Sequence, residues 1–339
     1  MTAVVRESQP SMDVMRESVV ELRGLSVAYG DVVAVDGVDL TIGAGEILGL
    51  AGESGCGKTT IANALMQILR PPARISGGSI FYRGEDLVQL GTEELRKHRW
   101  RNVSMVFQSA MNALNPVMRV GDQFVDAMRA HERIDRKRAA ARTGELLELV
   151  GIDRRRARAY PHELSGGMRQ RVIIAMALAL NPELVIMDEP TTALDVVVQR
   201  EILQQIGDLQ RELGFAVLFI THDLSLLFEF ANRIAIMYAG EVVEEAPAAR
   251  LHQFARHPYT LGLIRSFPSL TGPVERMAGI PGSPPDLAAP PEGCRFHPRC
   301  PECTGERPEL YRLQTSVRPV LHELEPGHRV ACHLVEQRG

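Results

Sequence analysis

Cysteine is scarce, with five in 339 residues, which is too few for a disulfide scaffold. Aromatic residues make up only 5% of the chain, which argues against base-stacking surfaces. Neither sign of charge dominates: 38 Lys and Arg face 42 Asp and Glu, a formal net charge of −4. No global basic surface follows, and no nucleic-acid partner is expected. No apolar run approaches the roughly 18 residues of a membrane-spanning helix, and the longest, Val172–Leu180, suits a buried helix. The first residues, MTAVVRESQPSMDVMRES, are charged and lack an apolar stretch, so no secretory leader is expected. No repeat of fixed period is present. The remainder is average for a globular chain, 45% hydrophobic and 24% charged, and long enough for a sizeable core. A cytosolic protein of two ordinary domains, or of one large domain with an appendage, is expected.

Between Val19 and Tyr238 strands and helices alternate, the pattern of an α/β fold. Val19–Leu25 alternates and predicts an edge strand. Asp39–Ile42, Glu46–Leu50, Ser79–Tyr82 and Val103–Phe107 predict further strands, and Ile61–Leu69 a helix. From Gln108 to Leu180 glycines thin out and helical spacing dominates, over Val120–Arg129 and Arg138–Val150; this predicts a helical insert at about residues 109–180. Leu184–Met187 and Phe215–Ile220 are apolar without alternation, as buried strands are, and Val198–Leu213 separates them as a helix. Arg233–Tyr238 and Gly240–Glu244 complete the core. After Pro247 the composition shifts: Pro281, Pro284, Pro285, Pro290 and Pro291 crowd together, and four of the five cysteines follow. The expected organisation is a tail at 1–18, an α/β domain at 19–246, and a separate extension at 247–339 with little regular structure, held by contacts or a metal.

Three segments carry chemistry. Gly52, Glu53, Ser54, Gly55, Cys56, Gly57, Lys58 and Thr59 fit G-x-x-x-x-G-K-S/T, between the strand Ile47–Leu50 and a helix opening at Thr60. Glycines there let successive N–H groups wrap phosphate oxygens, Lys58 adds charge at the β- and γ-phosphates, and the Thr59 hydroxyl suits Mg2+. The side chain of Cys56 is incidental, because the backbone does the binding. Leu184–Met187 ends in Asp188 and Glu189; Asp188 can hold Mg2+ through water, and Glu189 can take a proton from the attacking water. Ser165, Gly166 and Gly167 open the apolar helix with a second anion-binding helix terminus. Two phosphate cradles in one chain imply a nucleotide held between two protomers.

In this order the motifs resemble the ATP-binding subunits of ATP-binding-cassette transporters. The resemblance covers about Val19–Glu245, and LSGGMRQR lies just upstream of the acidic strand. It implies a P-loop ATPase fold: a RecA-like core, an antiparallel β subdomain and the helical insert. Tyr29 resembles the aromatic residue that stacks on adenine. Gln108 resembles the glutamine that contacts Mg2+ and couples to the membrane subunit. Ala193, Leu194 and Asp195 resemble the loop that crosses the dimer interface, and His222 the histidine that holds the γ-phosphate. By the resemblance, ATP sits between one protomer's P-loop and the other's Ser165 and Gly167. Catalysis then falls to Glu189, His222 and Gln108.

The extension resembles the oligopeptide/dipeptide permease subfamily, through His257-Pro-Tyr-Thr260, Ile280-Pro-Gly-Ser-Pro-Pro285 and Cys294-Arg-Phe-His-Pro-Arg-Cys300-Pro301, together with Ser109-Ala-Met-Asn-Ala-Leu-Asn-Pro116 after Gln108. It implies ATP hydrolysis driving peptide import at the cytoplasmic face of the cell membrane. The implied partners are a second, different ATPase subunit, two integral membrane permeases and an extracytoplasmic substrate-binding protein. Nickel importers share such a tail, and a soluble ATPase of the same fold is the further alternative. Cys294, Cys300, Cys303 and Cys332 could supply four thiolates, suited to structural Zn2+ or to an iron–sulfur cluster. Members of the subfamily carrying a 4Fe–4S cluster in this extension favour the latter; four unliganded cysteines are the remaining possibility, and His333 could add an imidazole.

Overall fold

The structure is a computed structural model and describes residues 17–108, 113–192, 194–266 and 279–336. Ser109–Asn112, Ala193 and most of the expected N-terminal tail therefore lie outside the described residues. In chain order the first elements are β1 (Ser18–Tyr29), β2 (Val32–Gly43), β3 (Ile47–Ala51), α1 (Lys58–Leu65), β4 (Ala73–Tyr82), β5 (Glu85–Asp86), α2 (Thr92–His98) and β6 (Val103–Val106). The middle of the chain forms α3 (Val120–Arg129), α4 (Arg136–Leu149), α5 (Gly166–Ala177), β7 (Leu184–Asp188), α6 (Val196–Leu213), β8 (Ala216–Thr221), α7 (Leu224–Phe230), β9 (Arg233–Tyr238) and β10 (Glu241–Pro247). The last elements are α8 (Ala248–Phe254), α9 (Pro258–Arg265), α10 (Pro308–Ser316), β11 (His322–Glu325), β12 (His328–Val330) and α11 (His333–Glu336).

The main sheet runs β11-β12-β10-β9-β3-β8-β7-β6. Its heart, β9-β3-β8-β7-β6, is parallel, and helices cover both faces, which is why these strands read as unbroken apolar runs. Period-two geometry still sorts them. In β8, Ala216, Leu218 and Ile220 join α1 and the antiparallel strands in one core, while Val217 and Phe219 join the helical insert in the other. β7 splits the same way, Leu184 and Ile186 against Val185 and Met187. All the strands of the parallel heart end on the edge where the phosphate loop begins, so the fold brings β3, β7 and β8 to one site.

The second sheet, β2-β1-β4-β5, is antiparallel. It corrects the reading of Val19–Leu25 as an edge strand. β1 is twelve residues long and paired on both sides, Leu22 with Leu40 and Ile80. Its register shifts between Leu22 and Leu25, around Gly24 at φ 56°; the bulge breaks the alternation and hides the second half of the strand. The expected helical insert is present as α3, α4 and α5, packed through Phe124, Met128, Leu146, Leu147 and Val172.

The extension is not the loosely structured separate unit that its prolines and cysteines predict. β12 pairs with β10, Glu244 opposite Val330, and β11 pairs with β12. The tail thus adds two strands to the main sheet. Arg295 and Arg318 both reach Asp36 and Glu241, so the tail also clasps the antiparallel sheet. Among the described residues no helix is long and apolar enough to cross a membrane.

Two buried histidines make the fold acid-sensitive. His257 and His98 are enclosed, each with an Nε2 that has no hydrogen-bond partner. Burial lowers both from 6.5 to about 4, with Glu244 opposing at His257 and Arg99 assisting at His98. Between those values the unfolded chain binds protons that the folded chain does not, so stability is present at neutral pH and falls as the pH drops through the window. Each histidine contributes at most about 1.4 kcal/mol per pH unit. The melting temperature should therefore decline between pH 7 and pH 5, and a flat profile over that range contradicts the assignment.

Candidate nucleotide site

The phosphate loop links β3 to α1, and at two of its glycines, Gly52 and Gly57, the backbone leaves no room for a side chain. Gly52 adopts φ 151°, and a Cβ there would lie 2.2 Å from the Met237 carbonyl oxygen. Gly57, the N-cap of α1, adopts φ 107°, and a Cβ there would lie 2.6 Å from the Ala34 carbonyl oxygen. Lys58 opens α1 with its ammonium turned back onto the loop, donating to the Gly52 carbonyl at 2.6 Å and the Glu53 carbonyl at 2.9 Å. Ser54, Gly55, Gly57, Lys58, Thr59 and Thr60 line a cleft of about 240 Å³ with Gln108 and Glu189. Tyr29, at the end of β1, stands beside it, its hydroxyl 3.4 Å from the Thr60 hydroxyl. Burial pushes the Cys56 thiol up, so it stays neutral behind the loop.

β7 delivers Asp188 and Glu189 to the same edge. Asp188 is buried; burial raises its carboxyl above the ordinary range, and the neighbouring Thr59 side chain opposes this. Its Oδ1 is buried with no hydrogen-bond partner. Such an orphaned acceptor beside a threonine hydroxyl fits a hard cation with oxygen ligands.

Glu189 occupies φ 45°, a conformation L-residues rarely adopt. It is held there from several sides: its N–H donates to the Ile220 carbonyl at 2.9 Å, and the Thr192 hydroxyl donates to its carbonyl at 2.8 Å. Gln108 Nε2 donates to Oε2 at 3.0 Å, Thr192 Oγ1 lies 3.3 Å from the same oxygen, and His222 Nδ1 lies 3.2 Å from Oε1. A carboxylate fixed in a strained backbone position beside the phosphate loop can accept a proton from a water on the cleft side. Thr192 was not singled out by the sequence; its signal was a hydroxyl three residues past the acidic pair.

Ser165, Gly166, Gly167 and Asp195 do not line this cleft. Ser165 caps α5, its hydroxyl accepting from the Met168 N–H at 3.3 Å. A Cβ on Gly167 would meet Val198 at 2.9 Å, so the glycine also lets α5 approach α6. Asp195 caps α6, accepting from the N–H groups of Val197 and Val198. Beside it Val196 and Val197 are 67% and 68% exposed. The helix termini at Ser165–Gly167 and Asp195 therefore lie apart from the phosphate-loop cleft.

The four tail cysteines come within electrostatic reach of one another, Cys294 of Cys300 and Cys332, and Cys300 of Cys303, but they do not form the expected ligand set. All are free thiols, and among the described residues no group of three or more His, Cys, Asp or Glu side chains is placed to hold a metal ion. Cys294 and Cys300 pack as apolar side chains against the main core, and burial pushes Cys294 up to about 12 and Cys332 up to about 11. His333 Nε2 contacts the Val317 carbonyl at 2.8 Å.

Residues 35–192 match the family described as ABC transporter, and residues 243–306 match the oligopeptide/dipeptide transporter C-terminal region. The chain is 45% identical over 284 residues to an oligopeptide transport ATP-binding protein, OppD, of Bacillus subtilis, covering 81% of this chain and 79% of the relative. It is 40% identical over 338 residues to the OppD of Escherichia coli, covering 98% of each. Among solved structures it resembles the dimeric post-hydrolysis state of the ATP-binding cassette MJ0796 bound to ADP and Pi, with a TM-score of 0.59 and 30% identity over 68% of this chain and 98% of that one.

Proposed function

Since this chain belongs to the ABC transporter ATP-binding subunits that carry the oligopeptide/dipeptide C-terminal region, we propose that it hydrolyses ATP to energise a membrane importer of di- and oligopeptides. The observation that carries the chemistry is the Glu189 carboxylate, fixed by Gln108, Thr192 and His222 at the lip of the phosphate-loop cleft. Hydrolysis of a phosphoanhydride asks mainly for positioning and charge neutralisation. In this reading Tyr29 stacks on the base, the loop from Gly52 to Thr60 cradles the phosphates, and Lys58 leaves the loop carbonyls for the β- and γ-phosphate oxygens. Glu189 accepts the proton of the attacking water, and His222 fixes the γ-phosphate. Thr59, Asp188 and Gln108 would hold Mg2+, which when bound neutralises developing charge between the β- and γ-phosphates. The unpartnered Asp188 Oδ1 supports that role. The cysteines carry no step.

The partners follow from the separation of the cleft and these helix termini. A second, different ATPase subunit would close over the cleft with its own helix terminus, and this chain's Ser165–Gly167 and Asp195 would serve the partner's nucleotide. Two integral permeases would dock near Gln108, where Phe107 and Val117 leave apolar surface exposed, placing the chain peripherally at the cytoplasmic side. A substrate-binding protein would deliver peptide from the other side. The regions 19–246 and 247–339 serve as ATPase body and subfamily-specific extension. Reconstitution of the complex in vesicles tests this: peptide-loaded binding protein should stimulate ATP hydrolysis several-fold, with steady-state phosphate release as the measurement. Stimulation by Ni2+ and not by peptide, or failure of the chain to copurify with integral membrane subunits, overturns it.

A further inference from the structure

Three tail motifs, far apart in sequence, converge on one residue of the phosphate loop. From Cys294-Arg-Phe-His-Pro-Arg-Cys300, the Arg299 guanidinium donates to both oxygens of Glu53, Nη1 to Oε2 at 2.7 Å and Nη2 to Oε1 at 3.0 Å. From Ile280-Pro-Gly-Ser-Pro-Pro285, the Pro281 carbonyl accepts from Arg299 Nε at 2.8 Å. From His257-Pro-Tyr-Thr260, the Tyr259 hydroxyl accepts the Glu53 backbone N–H at 3.0 Å. His257 sets that tyrosine in place by accepting the Tyr259 N–H on Nδ1 at 3.1 Å. Tyr238 closes the arrangement, its hydroxyl 3.3 Å from Arg299 Nη1 and its ring against Tyr259 and Phe296. The Arg299 side chain is 6% exposed and that of Glu53 26%, so this is a largely desolvated two-point pair and not a surface ion pair.

Its position matters more than its strength. The loop tip has little else to shape it: Ser54 and Gly55 are exposed, and no atom lies within 4 Å of a Cβ built on Gly55. The tip takes its form from its two ends, Gly57 on α1 and Glu53 on the other side. At Glu53 the side chain and N–H are held by the tail, and the carbonyl accepts from Lys58 Nζ. A loop held in shape before the nucleotide arrives pays less ordering entropy on binding.

We propose that Arg299 and Tyr259 are positioning residues for ATP binding: the C-terminal extension braces Glu53 and thereby sets the affinity of the phosphate loop. The proposal rests on the reading of that loop as the ATP site. Arg318, which pairs with Asp36 and Glu241 away from the loop, serves as the control for a tail–body contact without this role.

Equilibrium titration of the full chain with a fluorescent ATP analogue, alongside steady-state hydrolysis by the assembled complex, tests it. Arg299→Ala should weaken ATP binding about ten-fold and raise KM to match, with kcat at saturating ATP within about two-fold of the unaltered protein. Tyr259→Phe keeps the ring packing and loses only the hydroxyl, so it should fold normally and weaken binding about three-fold. Adding Glu53→Gln to Arg299→Ala should cost little more, because both remove one contact. Arg318→Ala should bind as the unaltered chain does. Unchanged affinity in Arg299→Ala, or in Tyr259→Phe where the arginine variant does not fold, overturns the inference, as does an equal loss in Arg318→Ala. If the unaltered chain bound no ATP, the ATPase reading itself would fall; normal binding by that chain with indifferent variants removes the brace alone.

Discussion

Glu189→Gln should bind ATP as tightly as the unaltered chain and lose steady-state hydrolysis by about two to three orders of magnitude, the range for removal of a general base. The substitution is nearly isosteric, and the surroundings can absorb it. The new amide can turn its oxygen toward Gln108 Nε2 and its NH2 toward His222, preserving the contacts now made at 3.0 Å and 3.2 Å. The strained backbone at φ 45° is held by Ile220 and Thr192 through main-chain atoms, so it should not relax. What disappears is the capacity to take a proton. Phosphate release under steady state, set beside nucleotide binding to the same preparation, separates the two effects. Undiminished turnover removes Glu189 as the base. A parallel loss of binding instead assigns it to holding the loop or the cation.

The same site shows what could be read from the sequence and what could not. The phosphate loop is contiguous, so its residues announce themselves together, and the structure places Ser54, Gly55 and Gly57–Thr60 around one cleft. Buried strands are similarly local: Leu184–Met187 and Phe215–Ile220 are apolar because both sheet faces are covered. The failures are long-range. β1 is central, because a bulge near Gly24 interrupts the alternation that would show its second half. β11 is His-Glu-Leu-Glu and exposed; nothing in it signals a strand, and it exists because β12 pairs Val330 with Glu244. Arg299 meets Glu53 across 246 positions, and an arginine in a cysteine-rich tail gives no hint that its carboxylate lies in the phosphate loop. The cysteines cluster in sequence as ligands do, but no group of three or more ligating side chains among the described residues is placed to hold a metal ion, and Cys294 and Cys300 pack against the main core.

Ser165→Arg should leave ATP binding by the single chain unchanged and suppress hydrolysis in the assembled pair by about 10²-fold at the site it serves. The argument is one of placement. Ser165 lies at the exposed N-terminus of α5 and lines no part of the chain's own cleft, so a change there cannot reach the nucleotide bound by the same chain. The free N–H groups of that terminus favour an anion, and in the proposed closed pair Arg would fill the place that the γ-phosphate of the partner's nucleotide would take. Loss of the cap to the Met168 N–H costs about 1 kcal/mol, too little to unfold a chain of this size, and a melting curve checks that. Exposed Val196 and Val197, next to Asp195 at the start of α6, supply apolar surface for the same closure. Turnover should accordingly rise more steeply than linearly with the concentration of ATPase subunits until the pair is saturated. A demonstrably monomeric preparation that splits ATP at the full rate, and does so equally with Ser165→Arg, would mean that one cleft suffices and that the helix terminus of the second subunit has no part in the reaction.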